Sequence, residues 1–305
     1  MMRPSFSLGV SGLLALGALT VNACSSSSKT PADAATDTGS NPDAGSGVDA
    51  AKVTVSGVAA PHPLTAPLGM NPATDFSQLR VDVVDPVTVI ADPNAAPLKG
   101  GPLDTTAGNC TAGCAWSFDD VDISGISLGL VGIVDDLRTT GRLWVKTGTG
   151  AGASDFINMI KVSRAPITGV RLFAVSKATE VKLAAFAAAF IPDAAIVAGS
   201  LETRGFMLGS IVTKLSEGAT PVAGATITTS DTRTTILYPS ADFSSNGTST
   251  ATHGTFLVVP KATTTGSVVA TWTVGKPAGD THTWVPLTAG TSPGSAFVLL
   301  FAATE

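Results

Sequence analysis

The chain is poor in the residues from which reactive sites are usually built. Its 305 residues include three cysteines, three histidines and one tyrosine, and only 13% are charged. His62, His253 and His282 are scattered, and none stands in a His-Glu-x-x-His pattern, which presents two imidazoles to one metal ion from one helix face. Serine is abundant, yet no serine is expected to act as the nucleophile of a Gly-x-Ser-x-Gly elbow. No basic cluster interleaved with aromatics occurs, and the net charge is −5, which argues against nucleic acid as a partner. Past residue 52 no apolar run reaches the roughly 20 residues a membrane helix needs.

The first fifty residues are of a different kind. Met1–Arg3 carry one positive charge, Leu8–Val21 form a mostly apolar run, and Val21-Asn22-Ala23-Cys24 follows. The run suits the hydrophobic core of an export signal and is too short to span a bilayer. Val21-Asn22-Ala23-Cys24 resembles the lipobox of bacterial lipoproteins. That resemblance implies a signal peptide over residues 1–23 and a lipid on Cys24. No cofactor is expected beyond that lipid and the calcium considered below. Ser25 in place of aspartate implies sorting to the outer membrane, with the protein facing the periplasm or the cell surface. Residues 24–51, rich in Ser, Ala and Asp with Pro31 and Pro42, are expected to form a disordered tether, because they hold too little apolar surface to offset the entropy of ordering. A coil of that length spans roughly 28 Å.

The other two cysteines fit an exported protein. Cys110 and Cys114 are separated by three residues, where a thiol redox motif has two, and no second Cys or His pair lies nearby. An oxidising compartment favours a disulfide between them, stabilising by about 2–3 kcal/mol.

The remainder is expected to be mainly β. Leu79–Asp85 alternates apolar and polar residues, and so does much of Ser267–Val274; Ile126–Val134 and Ala296–Ala302 are nearly continuous apolar runs. These are the marks of half-buried and fully buried strands. Two helical stretches interrupt them: one or two turns over Asp155–Lys161, and a longer one with Ser176 as a cap, a largely apolar body over 177–190, and Pro192 as a stop. The expected organisation is one or two antiparallel β-sandwich domains, transthyretin-like or Ig-like. The first covers 52–150 and the second 201–305, with a mixed segment over 151–200 between them.

The second unit resembles the carboxypeptidase regulatory-like family. The residues that carry the likeness are Gly209-Ser210-Ile211-Val212, Pro221-Val222-Ala223-Gly224-Ala225-Thr226-Ile227 and Thr252-His253-Gly254-Thr255-Phe256. The resemblance implies a seven-stranded sandwich in which Gly224 and Gly254 turn the chain and Val222, Ala225, Ile227 and Phe256 fill the core. The first unit echoes it: Val55-Ser56-Gly57-Val58 parallels Leu208-Gly209-Ser210-Ile211, and Trp116-Ser117-Phe118 parallels Gly254-Thr255-Phe256.

Two kinds of binding site are open. Asp119, Asp120 and Asp122 could supply carboxylate oxygens to calcium, or serve as solvated turn residues, as could Asp135-Asp136. Trp144 and Trp284 could form surface platforms for a polysaccharide, whereas Trp116 and Trp272 belong to strand patterns and are expected in the core. The overall expectation is a non-enzymatic envelope lipoprotein, membrane-bound through its lipid, with a structural, adhesive or protein-binding role. The alternatives are a carbohydrate-binding surface module or an accessory subunit of an envelope enzyme.

Overall fold

The computed structural model describes residues 51–65, 75–92, 95–105, 110, 113–214 and 219–304. Cys24, the expected signal peptide and nearly all of the expected tether lie outside the described residues. In chain order the first part contains β1 (Lys52–Pro61), β2 (Leu79–Val84), α1 (Pro86–Ala91), β3 (Lys99–Pro102), β4 (Cys114–Asp122), β5 (Gly129–Asp136), β6 (Trp144–Val145), β7 (Thr147–Ala153), α2 (Ser154–Ser163) and β8 (Ile167–Ser176). There follow α3 (Lys177–Phe190), α4 (Ser200–Arg204), β9 (Phe206–Val212), β10 (Thr226–Thr229), β11 (Thr234–Pro239), β12 (Asn246–Gly247), β13 (Thr255–Pro260), β14 (Val268–Gly275), β15 (Thr283–Trp284), β16 (Leu287–Thr291) and β17 (Ala296–Thr304).

The fold is mainly β, with sandwich packing. A sheet ordered β4-β1-β8-β6 faces β3-β2-β5-β7, and their inner sides share one core that includes Val55, Trp116, Leu172, Val81 and Leu130. A sheet ordered β10-β14-β16 faces β11, β13, β9 and β17 over a second core of Ile227, Trp272, Met207, Phe256 and Phe301. The two arrangements do not divide at residue 150. Strand β7 crosses that position, and β8 belongs to the first sandwich. The C-terminal strand β17 lies between β7 and β9 and runs parallel to both, so a single ten-stranded sheet passes through both sandwiches.

Among the described residues three pairings are parallel: β1 with β8, β17 with β9, and β17 with β7. Each joins strands distant in sequence, which local alternation cannot encode.

Helix α3 occupies the span its sequence predicts. The Ser176 side chain accepts from Thr179 N, and Ile191 closes the last turn. Leu183, Ala184, Phe186 and Ala187 pack with Phe206, Leu208, Leu257 and Val259 of the large sheet. That sheet is therefore covered on both sides here, by α3 on one face and by β10-β14-β16 on the other. Double coverage explains why all six residues of β13 are buried, and why its sequence does not alternate. Helix α1 was not expected from the sequence. Pro86 does end the β2 alternation, but as the first residue of a helix capped by Asp85, whose side chain accepts from Val87 N.

Gly224 and Gly254 have φ of 78° and 65°, the left-handed region that glycine enters at little cost. Val222, Ala225, Ile227 and Phe256 are all buried. The Cys110–Cys114 disulfide is formed, with Cα atoms 4.2 Å apart. Among the described residues no helix is long and apolar enough to cross a membrane.

Candidate functional site

Among the described residues, the largest network of ion pairs lies where the two sandwiches and the helical segment meet. It begins at the end of β5. Asp136 is buried; its Oδ2 accepts from Leu143 N at 2.7 Å and Trp144 N at 3.2 Å, and its Oδ1 accepts from Arg138 N at 3.1 Å and Arg138 Nη1 at 3.0 Å. Burial pushes this carboxyl up, but the backbone N–H groups and the Arg138 guanidinium outweigh it and hold Asp136 below the ordinary carboxylate range. Arg138 also pairs with Asp75 at 2.5 Å. Asp135 takes the next guanidinium, Arg142 Nη2, at 2.6 Å.

Arg142 carries the cluster across the junction. Its Nη1 lies 3.7 Å from Glu202 Oε1, while Lys177 Nζ contacts Glu202 Oε2. Lys177 is the first residue of α3 and Glu202 lies within α4. One turn into α3, Glu180 is fully buried; it accepts from Gly199 N at 2.8 Å and Leu201 N at 3.0 Å and so fixes the start of α4. Burial raises the Glu180 carboxyl, against the two N–H donors and the Lys177 charge. Burial and the Arg142 charge push the Lys177 amine down, against Glu180 and Asp136. The Glu202 backbone carbonyl accepts from Gly294 N, in the β16–β17 connection, at 2.8 Å. Glu202 thus touches both sandwiches and both helices.

The tryptophan expectation is corrected. Trp144 is 0% and Trp284 7% exposed, so neither is a surface platform. Trp144 is held by its backbone bond to Asp136, by Nε1 donating to Asp75 O at 3.0 Å, and by the Phe76 ring 5.2 Å away. Trp284 donates Nε1 to Val212 O at 3.1 Å and lies on β15 against β17. Trp116 and Trp272 are in the core as expected.

The calcium candidates do not converge. Asp119 accepts from Thr54 Oγ1 at 2.7 Å. Asp122 accepts from Ser124 Oγ and N, which lower its pKa. Asp120 has a φ of 56° at the point where the β1–β4 register shifts. Among the described residues no group of three or more His, Cys, Asp or Glu side chains could hold a metal ion. These acids instead lie on β4, the outermost strand of its sheet, at a bulge. Charges and bulges there discourage edge-to-edge pairing.

The histidines are committed to local contacts. His62 is buried, and burial lowers its pKa to about 3. His253 stacks on Phe243 and accepts from Thr255 N. His282 pairs with Asp280 at 2.8 Å. Although no nucleophile elbow was expected, Gly290-Thr291-Ser292-Pro293-Gly294 has its spacing. It joins β16 to β17 rather than a strand to a helix, and Ser292 Oγ bonds Ser267 Oγ at 2.8 Å.

What the sequence did not reveal is the ionic junction. Its members run from Asp75 to Glu202, and only Asp135-Asp136 stand together in the chain. The one local signal is that Arg138 and Arg142 follow two acids in a chain with few charges.

No protein-family model matches the chain, and no curated protein matches it. Among solved structures, two variant forms of the shaft pilin SpaA from Lactobacillus rhamnosus GG are similar at 11% and 10% identity. Each covers 83% of this chain and 98% of its own, with TM-scores of 0.22 and 0.21.

Proposed function

We propose that this chain is a non-enzymatic structural or adhesive protein of the cell envelope, held to the outer membrane by a lipid on Cys24. The observation that carries the reading is the insertion of β17 between β7 and β9, which makes one sheet of two sandwiches. A body knitted in this way transmits load from its N-terminal attachment without a hinge between its parts. The disulfide at the start of β4, the ionic junction at Glu202 and the acid-guarded edge of β4 serve the same end. The histidines support the reading because each is engaged in packing or local hydrogen bonding. The burial of Trp144 and Trp284 weakens the polysaccharide alternative.

The test is fractionation and protease shaving of intact cells carrying the wild-type chain or Cys24→Ser. The reading expects the wild type in the outer-membrane fraction and the variant released from it. A Cys24→Ser chain that stays membrane-bound would refute the lipid anchor. Catalytic turnover by the purified chain would refute the non-enzymatic role.

A further inference from the structure

We propose that Lys177 and Glu202 join through an intramolecular amide bond, Nζ to Cδ, which covalently closes the segment linking the two sandwiches. The inference stands on side-chain geometry and does not require the envelope role.

The two groups are in contact, with side chains 33% and 11% exposed. Backbone anchors place both of them. Lys177 N donates to Leu143 O at 2.8 Å, and Ser176 caps the helix that Lys177 begins. On the other side, Glu180 pins Gly199 and Leu201, and the Glu202 carbonyl accepts from Gly205 N and Gly294 N. The amine and the carboxyl are therefore brought together by the fold rather than by chance excursions of two flexible chains. Held groups react with effective concentrations of about 10⁵ M or more when well aligned.

Arg142 has a defined part. Its guanidinium faces Oε1, the carboxyl oxygen that Lys177 does not touch. When Nζ attacks Cδ, charge collects on Oε1, and a fixed cation there stabilises the tetrahedral intermediate. The Cδ–Oε2 bond then breaks. Oε2 leaves as water with two of the three ammonium protons, the third stays on the amide nitrogen, and Oε1 becomes the amide oxygen. Ammonium and carboxylate give amide and water, so no oxidant, reductant or other reactant is needed. Burial and the Arg142 charge favour the neutral amine that must attack.

The test is tryptic digestion of the full, folded and then reduced chain, followed by fragment mass spectrometry. The expected product joins residues 172–182, uncleaved after Lys177, to residues 183–204, at one water below the sum of the two peptides. Lys177→Arg and Glu202→Ala should each return separate, unlinked peptides. Wild-type chain that is folded, as shown by cooperative thermal unfolding, yet is cut after Lys177 and unlinked would overturn the proposal. So would a water loss that fragmentation maps to a single residue elsewhere.

Discussion

Two triplets of strands, β4-β1-β8 and β13-β9-β17, are built alike and placed differently. In each, the middle strand has an antiparallel neighbour on one side and a parallel one on the other. Each middle strand carries a glycine at a close approach. A Cβ on Gly57 would lie 1.8 Å from the Val170 backbone oxygen of the parallel neighbour, and one on Gly209 would lie 1.8 Å from the Phe256 ring of the antiparallel neighbour. The first triplet ends at an open edge guarded by acids. The second is sealed within the ten-stranded sheet. The same local arrangement thus serves as a margin in one place and as the centre of the molecule in the other, and neighbours rather than local sequence decide which.

The largest expected effect is at the sealed triplet. Phe256→Ala should lower unfolding stability by about 3–5 kcal/mol, measured by denaturant titration. Gly209→Ala alone should also destabilise, but the double variant should lose less than the sum, because the missing ring vacates the space a methyl would need. Strict additivity would show that the ring and the glycine are not coupled.

The next effect separates the triplets by pH. His62 follows β1, its N–H bonding Ala174 of β8, and its pKa is lowered from 6.5 to about 3. Below the unfolded value of 6.5 the unfolded chain takes up a proton that the folded chain refuses, so stability falls with pH from there down towards the folded value. The slope from this group alone is about 1.4 kcal/mol per pH unit. His62→Asn should flatten the stability profile between pH 6 and pH 4. An unchanged slope would mean that His62 is not held neutral.

Gly57→Ala should cost up to ~3 kcal/mol through overpacking, and removing the Trp116 ring opposite should not rescue it, since the obstacle is the Val170 backbone. Rescue by Trp116→Ala would break the contrast with Gly209. The smallest effect on stability belongs to the edge. Asp119→Val with Asp120→Gly should change unfolding stability by less than about 0.5 kcal/mol, while promoting concentration-dependent association in sedimentation. A variant that stays monomeric would remove the guarding role from these acids.

Much of the local structure could be read from the sequence, and the long-range pairing behind this contrast could not. The alternation of Leu79–Val84, the Ser176 cap and the turn glycines Gly224 and Gly254 are local signals, and the structure follows them. The parallel insertion of β17 beside β9 pairs residues 90 positions apart (Ala296 with Phe206), and no periodicity reports it. Trp144 and Trp284 were misjudged because short strands of two residues give no alternation from which to tell inside from outside. The ionic junction stayed hidden for the same reason as β17: its charges meet only after the sheet has closed.

The central claim is that β17 makes one cooperative body of two sandwiches. Native-state hydrogen exchange tests it most directly. The account predicts that the core amides of β5 and β7 and those of β9 and β13 exchange through one global opening, with the same free energy and the same denaturant dependence. Two separate free energies, with one sandwich opening while the other stays protected, would contradict it.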